Sequence, residues 1–144
     1  MSHRLEPDMH SNLEIVRRSY AASNRGDPRG ILADVAPDGQ WTEMAGFPCA
    51  GTYSGADAIL RNVFERLGQE WEGYSATAEA FHDAGDTIVV TGWYAGTYRK
   101  SGKSFRARFA HVWRLRDGKI HRFEQFTDTL LVARAMAGDG PGGR

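Results

Sequence analysis

Cysteine, net charge and long apolar runs are all scarce in this 144-residue sequence. Cys49 is the one cysteine, so no internal disulfide can form, which excludes the small disulfide-stapled scaffolds. Lysine and arginine total 18, as do aspartate and glutamate, and a chain of zero net charge lacks the basic field that nucleic-acid binding needs. No apolar run approaches the ~18 residues of a membrane span, and residues 1–10 hold no apolar stretch typical of a signal peptide. These absences predict a cytoplasmic protein that binds neither nucleic acid nor membranes.

The length and composition are those of one globular domain. Hydrophobic residues make up 41% of the chain and charged residues 25%, a balance that supports a packed core. We predict a flexible N-terminus over 1–10, a single domain over 11–137 and a disordered tail over 138–144. The tail contains four glycines and a proline, a composition typical of a frayed end.

Capping signals predict three helices in the first half of the chain. Ser11 and Glu14 have the spacing of a capping box, and Gly26 is suited to end the helix that they begin. Asp27-Pro28 fits the N-cap and first position of a second, short helix. A further capping signal at residues 54–57 precedes an apolar stripe at helical spacing. We therefore expect helices near 11–25, 28–35 and 55–67.

Strands fill most of the second half. One early strand is expected near 40–44, and from Tyr74 onward the alternation of apolar and polar residues predicts strand after strand. Asp117-Gly118 and Ser101-Gly102 are the signals of two-residue hairpin turns. This order of elements predicts an α+β fold, with helices packed on one face of a mostly antiparallel sheet.

Two-residue turns would fix which side chains share a face of the sheet. His111 would then lie opposite Glu124 on the inner face, and Gly92 and Gly96 would leave room beside it for a ligand. A bulge would reverse the faces from its own position onward. The inner face also receives Tyr94, Phe109, Trp113, Phe126 and Asp128. The outer face receives Val89, Trp93, Ala110, Val112, Phe123 and Gln125, together with Arg106, Arg108, Arg114 and His121.

Several segments, in this order, resemble the nuclear transport factor 2-like superfamily, in its SnoaL-like polyketide-cyclase and ketosteroid-isomerase branch. They are residues 24–27, 41–43, 51–55, 110–120 and 126–128, which read NRGD, WTE, GTYSG, AHVWRLRDGKI and FTD. The resemblance implies a cone, in which three helices cover a strongly curved sheet and enclose an apolar pocket. The family contains isomerases, cyclases, dehydratases, epoxide hydrolases and non-catalytic binding domains, so the fold alone does not define a reaction.

The resemblance also suggests catalytic residues. Glu43 occupies the position of the isomerases' general-base carboxylate. His111 occupies the strand position of an oxyanion-hole acid in isomerases and of a histidine in cyclases. Asp128, near the end of the last predicted strand, is a second carboxylate candidate.

Two positions depart from the family pattern. The isomerase tyrosine of the first helix aligns with Ser19, and Tyr20 is one residue out of register. The cyclase aspartate aligns with Gln125, which leaves Glu124 and Asp128 as substitutes.

Each candidate also has an ordinary structural interpretation. On this interpretation His111 is a core histidine bonded to Glu124, Glu43 sits in solvent at a strand end, and Asp128 caps a turn. Tyr53 and Cys49 belong to a loop that is expected at the rim of the pocket, with a structural role as the default. His111 and His121 are expected on opposite faces, and no metal site is predicted. The substrate-binding candidates are Trp41, Tyr53, Tyr94, Phe109, Trp113, Glu124 and Phe126.

Two functions follow from these expectations. The first is cofactor-independent acid–base catalysis on a small hydrophobic molecule, of the isomerase, cyclase, dehydratase or epoxide-hydrolase type. The alternative is a non-catalytic ligand-binding or assembly module of the same fold. The apolar centre and arginine rim of the outer sheet face further predict a homodimer through that face.

Overall fold

The structure is a computed structural model that describes residues 11–138. The flexible N-terminus predicted for 1–10 and all but the first residue of the predicted tail lie outside the described residues. Helix α1 is Asn12–Asn24 and the short α2 is Pro28–Ile31. Helix α3 runs over 56–70, with α-helical Ala56–Ile59, a π-helical segment Leu60–Glu65 and α-helical Arg66–Glu70. Helix α4, Thr129–Met136, closes the described chain.

Six strands form one sheet in the order β2-β1-β6-β5-β4-β3. Their bounds are Val35–Glu43, Gly51–Ser54, Trp71–Asp83, Thr87–Tyr98, Ser104–Arg116 and Lys119–Thr127 for β1 to β6. The pairing of β1 with β6 is parallel, and the other four pairings are antiparallel. The predicted α+β class, with helices packed on a curved and mostly antiparallel sheet, is confirmed.

Local signals place the starts of the three predicted helices, but the side-chain cap predicted within residues 54–57 is wrong, because Gly55 is the N-cap there and no side chain caps the helix. Ser11 accepts from the backbone of Glu14, and the Glu14 carboxylate accepts from the backbone of Ser11, which completes the predicted capping box. Asp27 caps α2 through the backbone N–H of Gly30, although α2 is shorter than expected. Helix α4 and strand β2 were not expected from the sequence.

The hairpin of β5 and β6 has the predicted turn, and it also has a bulge that was not predicted. Asp117 and Gly118 both have positive φ, as a two-residue turn of this kind requires, and Arg116 pairs with Lys119. Between the pairs Leu115–Ile120 and Arg114–Arg122 the register shifts, because β6 has one extra residue, His121. The prediction for the rest of β6 is therefore wrong by one residue, and His111 pairs with Gln125 instead of Glu124.

After this bulge, the side chains of β6 lie on the faces opposite to those predicted. Phe123 and Gln125, expected on the outer face, are each 1% exposed and face the core. Phe126, expected inside, is 47% exposed, and Glu124 forms an ion pair with Arg114. For β4 and β5 the predicted faces are correct, with Val90, Tyr94, Phe109, His111 and Trp113 among the buried residues.

The Ser101-Gly102 turn is also different from the prediction. Its loop is longer than two residues, because the Tyr98 N–H donates to the Lys103 carbonyl and Thr97 pairs with Ser104. Tyr94 consequently pairs with Ala107 and not with Phe109. Since this shift is by two residues, it changes the partners but leaves every side chain of β4 and β5 on its predicted face.

Candidate functional site

His111 is the centre of a buried hydrogen-bond network. The imidazole is 4% exposed, with Nδ1 at 2.6 Å from Tyr20 Oη and Nε2 at 2.6 Å from Tyr94 Oη. Tyr20 comes from the buried face of α1, and Tyr94 from the inner face of β4. The Phe109 ring stacks on the imidazole with a centroid distance of 3.9 Å. The histidine is therefore held in one position by two phenols and an aromatic ring.

Each phenol has a further donor. Trp113 Nε1 donates to Tyr20 Oη over 2.9 Å, and Gln125 Nε2 donates to Tyr94 Oη over 2.9 Å. A neutral imidazole and two phenols carry three mobile hydrogens, but only two hydrogen bonds join them. One phenol O–H is consequently left over in either tautomer. When Nδ1 carries the imidazole proton, Tyr20 has the spare donor.

Gln125 joins this network to Glu43. Its Oε1 accepts from the backbone N–H of Met44 over 3.2 Å, which orients the amide, and its side chain also hydrogen-bonds with Glu43. Glu43 is 4% exposed at the end of β1, and Trp41 Nε1 donates to its Oε2 over 2.8 Å. Glu43 and His111 thus lie in one buried region, with Gln125 and Tyr94 between them.

Burial moves the pKa values of both groups away from their ordinary range. Desolvation raises the pKa of Glu43 from 4.5 to about 8, against the lowering effect of the Trp41 and Gln125 hydrogen bonds. Desolvation also lowers the pKa of His111 from 6.5 to about 3. At neutral pH Glu43 is mostly a neutral acid and His111 a neutral imidazole. Burial thus disfavours the imidazolium form of His111, and its two ring nitrogens hydrogen-bond the two phenols.

An open cleft of about 390 Å³ lies between the helices and β3. Its wall includes Ser23 and Ile31 from the α1–α2 region, Phe64 and Leu67 from α3, and Trp71 and Tyr74 from β3. A smaller cavity of about 40 Å³ shares Ser23, Ile31 and Phe64 with the cleft and reaches Tyr20, Trp41 and Trp113. We call this cavity the narrow end of the cleft. Its apolar wall and few polar groups are typical of a small-molecule site.

The space that the two glycines were expected to leave for a ligand is occupied. A Cβ on Gly92 would lie 2.6 Å from Phe109 Cζ, and one on Gly96 would lie 3.3 Å from Tyr74 Cα. The glycines therefore allow Phe109 and Tyr74 to pack close to β4. Neither Glu43 nor His111 lines the cleft or its narrow end. Trp41 lies at the narrow end and bonds Glu43, so the carboxyl group is one indole ring behind the wall.

Asp128 does not join the site. It is exposed and is the N-cap of α4, where its side chain accepts from the backbone N–H of Leu131. Its expected place on the inner face is wrong, because the His121 bulge reverses β6 before that point. Glu124 and Phe126 leave the set of binding candidates for the same reason. The structure thus favours the capping interpretation of Asp128.

The remaining binding candidates divide into two groups. Trp41 and Trp113 line the narrow end, whereas Tyr94 and Phe109 pack around His111 behind it. Tyr53 Oη donates to the carbonyls of Cys49 and Ala50, which fixes the loop before β2. Cys49 is fully buried, and burial raises the pKa of its thiol to about 12. Tyr53 and Cys49 therefore have the structural roles that were the default.

Sequence reasoning missed four residues of this region. Tyr20 shares a helical face with Val16, which indicates that it points inward despite its offset from the family position. Gln125 stands where the cyclase aspartate aligns, and this alignment is a sequence signal for a site residue. The bulge in β6 hid the signal, because the expected register placed Gln125 on the outer face. For Trp71 and Tyr74 no sequence signal distinguished cleft from core.

The sequence of this chain matches a known protein family. The SnoaL-like domain family matches residues 16–123, and the chain belongs to this family. It is a family that includes cyclases and isomerases. A comparison with curated protein sequences finds no match.

Solved structures agree with the family. A nuclear transport factor 2-like protein of Burkholderia thailandensis is 62% identical, with a TM-score of 0.88 over 90% of this chain and 99% of that one. One of unknown function from Burkholderia pseudomallei is 32% identical, with a TM-score of 0.82 over 90% and 100% of the two chains. TerC, co-crystallised with polyporic acid, is 29% identical, with a TM-score of 0.77 over 87% and 97%.

No helix among residues 11–138 is long and apolar enough to cross a membrane. Within the same residues, no three histidine, cysteine, aspartate or glutamate side chains come together as metal ligands.

Proposed function

We propose that the protein binds a small, mostly apolar molecule in the cleft and catalyses a cofactor-independent proton transfer on it. The observation that carries this proposal is the hydrogen-bonded network that runs from Glu43 to Tyr20 and ends at the narrow end of the cleft. A buried acid with a strongly raised pKa beside a ligand-sized cleft is characteristic of acid–base sites. The reaction classes that fit are isomerisation, cyclisation, dehydration and epoxide opening.

Each residue has a defined role in this proposal. Tyr20 contacts the ligand and donates its spare O–H to a carbonyl oxygen, where negative charge develops as a neighbouring C–H proton leaves. His111 holds Tyr20 and stays neutral. Ionised Glu43 is the base, and it reaches the ligand when the Trp41 indole that separates it from the narrow end moves aside. The electron pair of the broken C–H bond passes to the carbonyl oxygen, and an enolate results.

A relative supports the class of ligand. TerC is 29% identical to this chain and was co-crystallised with polyporic acid. Polyporic acid is accordingly a first compound to test for binding here.

The second candidate function is a ligand-binding module without chemistry. The observation that favours it is that Glu43 and His111 lie behind the cleft wall and do not line it. Under this alternative the network serves to stabilise the fold, and the cleft holds its ligand unchanged.

Deuterium exchange separates the two functions. We expect 1-tetralone, a bicyclic ketone small enough for the cleft, to lose its protons next to the carbonyl to D₂O faster with the protein than without it. Proton NMR measures this rate directly. Glu43→Gln removes the base and is expected to abolish the protein-dependent rate.

The matched control is Asp128→Asn, which keeps a capping side chain and changes a carboxylate outside the site. It is expected to retain the wild-type rate. Binding of 1-tetralone without any protein-dependent exchange would support the binding module and contradict the catalytic proposal.

A further inference from the structure

A passage of four residues joins the cleft to its narrow end. The residues that line both spaces are Ser23, Ile31, Phe64 and Ala76. The narrow end has a volume of about 40 Å³, against about 390 Å³ for the cleft, so it admits the tip of a ligand and not a ring system. A broad ligand therefore reaches Tyr20 only if a side chain of the passage moves.

Phe64 controls the width of this passage. Ser23 and Ala76 carry small side chains. Ile31 is buried, and its carbonyl accepts a hydrogen bond from Ser19 Oγ over 3.1 Å, which holds this part of the chain against α1. Phe64 is half-buried, and its phenyl ring is larger than the other three side chains. The passage is consequently as wide as the position of this ring allows.

The backbone around Phe64 is irregular. The residue belongs to the π-helical segment Leu60–Glu65, in the middle of α3. Single π-helical turns inside α-helices are rare and are frequent at functional sites. Within this turn Val63 is 1% exposed and packs in the core, whereas Phe64 lines the cleft. The π-helical turn therefore lies where α3 borders the ligand space.

Phe64 also contacts the indole that shields Glu43. Its ring packs edge-on against Trp41, with a centroid distance of 5.6 Å and an interplanar angle of 70°. Trp41 lines the narrow end but not the cleft, whereas Phe64 lines both. The indole is further held by stacking on Phe123 at 3.8 Å and by its hydrogen bond to Glu43. A ligand that enters from the cleft thus meets Phe64 before it meets Trp41.

We propose that Phe64 is the specificity-determining residue of the cleft, because its ring sets how broad a ligand can be and still reach the narrow end. This inference rests on the proposed function, which places the reacting carbonyl at Tyr20. A ketone with a slender carbonyl end passes the Phe64 ring in its present position. A ketone whose carbonyl belongs to a fused ring enters only after the Phe64 ring is displaced, and its reaction is slower for that reason.

Two ketones with the same number of carbon atoms test this assignment. In 4-phenylbutan-2-one the carbonyl lies near the end of a slender chain, and in 1-tetralone it belongs to a fused ring. The measured quantity is the ratio of their protein-dependent exchange rates in D₂O, 1-tetralone over 4-phenylbutan-2-one, with each ketone well below saturation. The intrinsic acidities of the two ketones are the same for every variant, so a change in this ratio reports access to the site.

Phe64→Ala is expected to raise the ratio about tenfold or more, which is the discrimination that small changes in the size of an apolar pocket produce. Phe64→Leu keeps an apolar side chain of intermediate size and is expected to raise the ratio less. This milder variant also serves if Phe64→Ala folds poorly.

The matched control is Leu67→Ala, a truncation on the same helix. Leu67 lines the cleft but not its narrow end. The variant is therefore expected to keep the wild-type ratio even where the rates of both ketones change together.

A second measurement follows binding without chemistry, through the indole N–H signals of a ¹⁵N–¹H NMR spectrum. Trp41 and Trp113 report on the narrow end, and Trp71 reports on the wide part of the cleft. Trp93, on the outer face of the sheet, is the reference. In the wild-type protein 4-phenylbutan-2-one is expected to shift all three cleft signals, and 1-tetralone mainly that of Trp71. In Phe64→Ala both ketones are expected to shift all three.

An unchanged ratio and unchanged shifts in the two Phe64 variants overturn the assignment and leave the proposed function standing, and so does an equal change of the ratio in Leu67→Ala. Binding with the expected shifts but without protein-dependent exchange overturns the catalytic proposal and supports Phe64 as the residue that selects ligands by breadth. Failure of both ketones to bind the wild-type protein overturns the assignment and the proposed function together.

Discussion

At the scale of single residues, one buried region holds an acid and a base that are both neutral near pH 7. Glu43 keeps its proton because burial disfavours the carboxylate, and His111 gives up its proton because burial disfavours the imidazolium. The two phenols beside His111 hydrogen-bond the imidazole without any formal charge. Glu43 therefore holds a proton that it can release, and neither group carries a charge near pH 7. Ionisation of either group destabilises the fold.

The free energy of unfolding should follow these shifts with pH. Glu43, whose pKa is raised from 4.5 to about 8, binds more protons in the folded state between those values, so its contribution to stability falls as pH rises. His111, whose pKa is lowered from 6.5 to about 3, binds fewer protons in the folded state between those values, so its contribution falls as pH drops. The two slopes cancel between pH 4.5 and 6.5.

We therefore expect a plateau of stability between pH 4.5 and 6.5 and a decline on each side. Between pH 6.5 and 8 the free energy of unfolding is expected to fall by about 2 kcal/mol, because a difference of one bound proton changes it by ~1.4 kcal/mol for each pH unit. Urea denaturation at a series of pH values measures it. Glu43→Gln is expected to remove the alkaline decline alone, and an unchanged decline in that variant would contradict the raised pKa.

Tyr20→Phe tests the network itself. The variant leaves Trp113 Nε1 and His111 Nδ1 without their shared partner, and each orphaned group destabilises the fold by ~1–3 kcal/mol. We expect a total loss of at least about 2 kcal/mol in denaturant unfolding. Tyr74→Phe is the matched control, since its buried hydroxyl has no partner among the described residues, and the variant should be at least as stable as wild type. Equal stabilities for the two variants would mean that the Tyr20 bonds contribute nothing.

At the scale of elements, two of the three predicted caps and one of the two predicted turns were readable from the sequence, and strand register was not. The Ser11 capping box, the Asp27 cap and the Asp117-Gly118 turn depend on residues close in sequence, and all three are in the structure. The extra residue His121 depends on how β6 pairs with both of its neighbours, which no local pattern records. That single bulge moved Gln125 into the site and Glu124 out of it.

Helix α4 gives a test at this scale. Asp128→Ala removes the N-cap and is expected to destabilise the protein by about 0.5–2 kcal/mol, whereas Asp128→Asn retains most of that stability. Both variants should bind 1-tetralone with wild-type affinity, as isothermal titration calorimetry would show. A loss of affinity in Asp128→Asn, with stability preserved, would return Asp128 to the site.

At the scale of the whole molecule, the order of helices and strands was enough to predict the α+β class, and the family resemblance implied the cone. The interior of the cone was not predictable in the same way. Whether Gly92 opens a cavity or admits Phe109 depends on packing across three strands and a helix. The cleft consequently lies between α1, α3 and β3, to one side of the Glu43–His111 hydrogen-bond network rather than within it.

The outer face of the sheet remains a proposed dimer interface. Trp93 lies there under the guanidinium groups of Arg106 and Arg108, at 3.6 and 4.9 Å from the ring centroid. Val89, Ala110 and Val112 are half-buried on the same face, whereas Phe123 is not part of it.

We expect a homodimer at micromolar concentration in sedimentation velocity, because this apolar centre with a charged rim is typical of an interface. Trp93→Glu should shift the equilibrium toward monomer, and Arg25→Glu, on the helical side, should not. A monomeric wild-type protein would contradict the proposed interface.

The most direct test of proton transfer in the cleft is the pH dependence of the 1-tetralone exchange rate. Since the ionised form of Glu43 is the base, the protein-dependent rate should rise with pH through a single step centred at about 8. No step should occur near pH 6.5, because His111 stays neutral there. A rate that shows no step near pH 8, or that persists in Glu43→Gln, would contradict the assignment of Glu43 as the base.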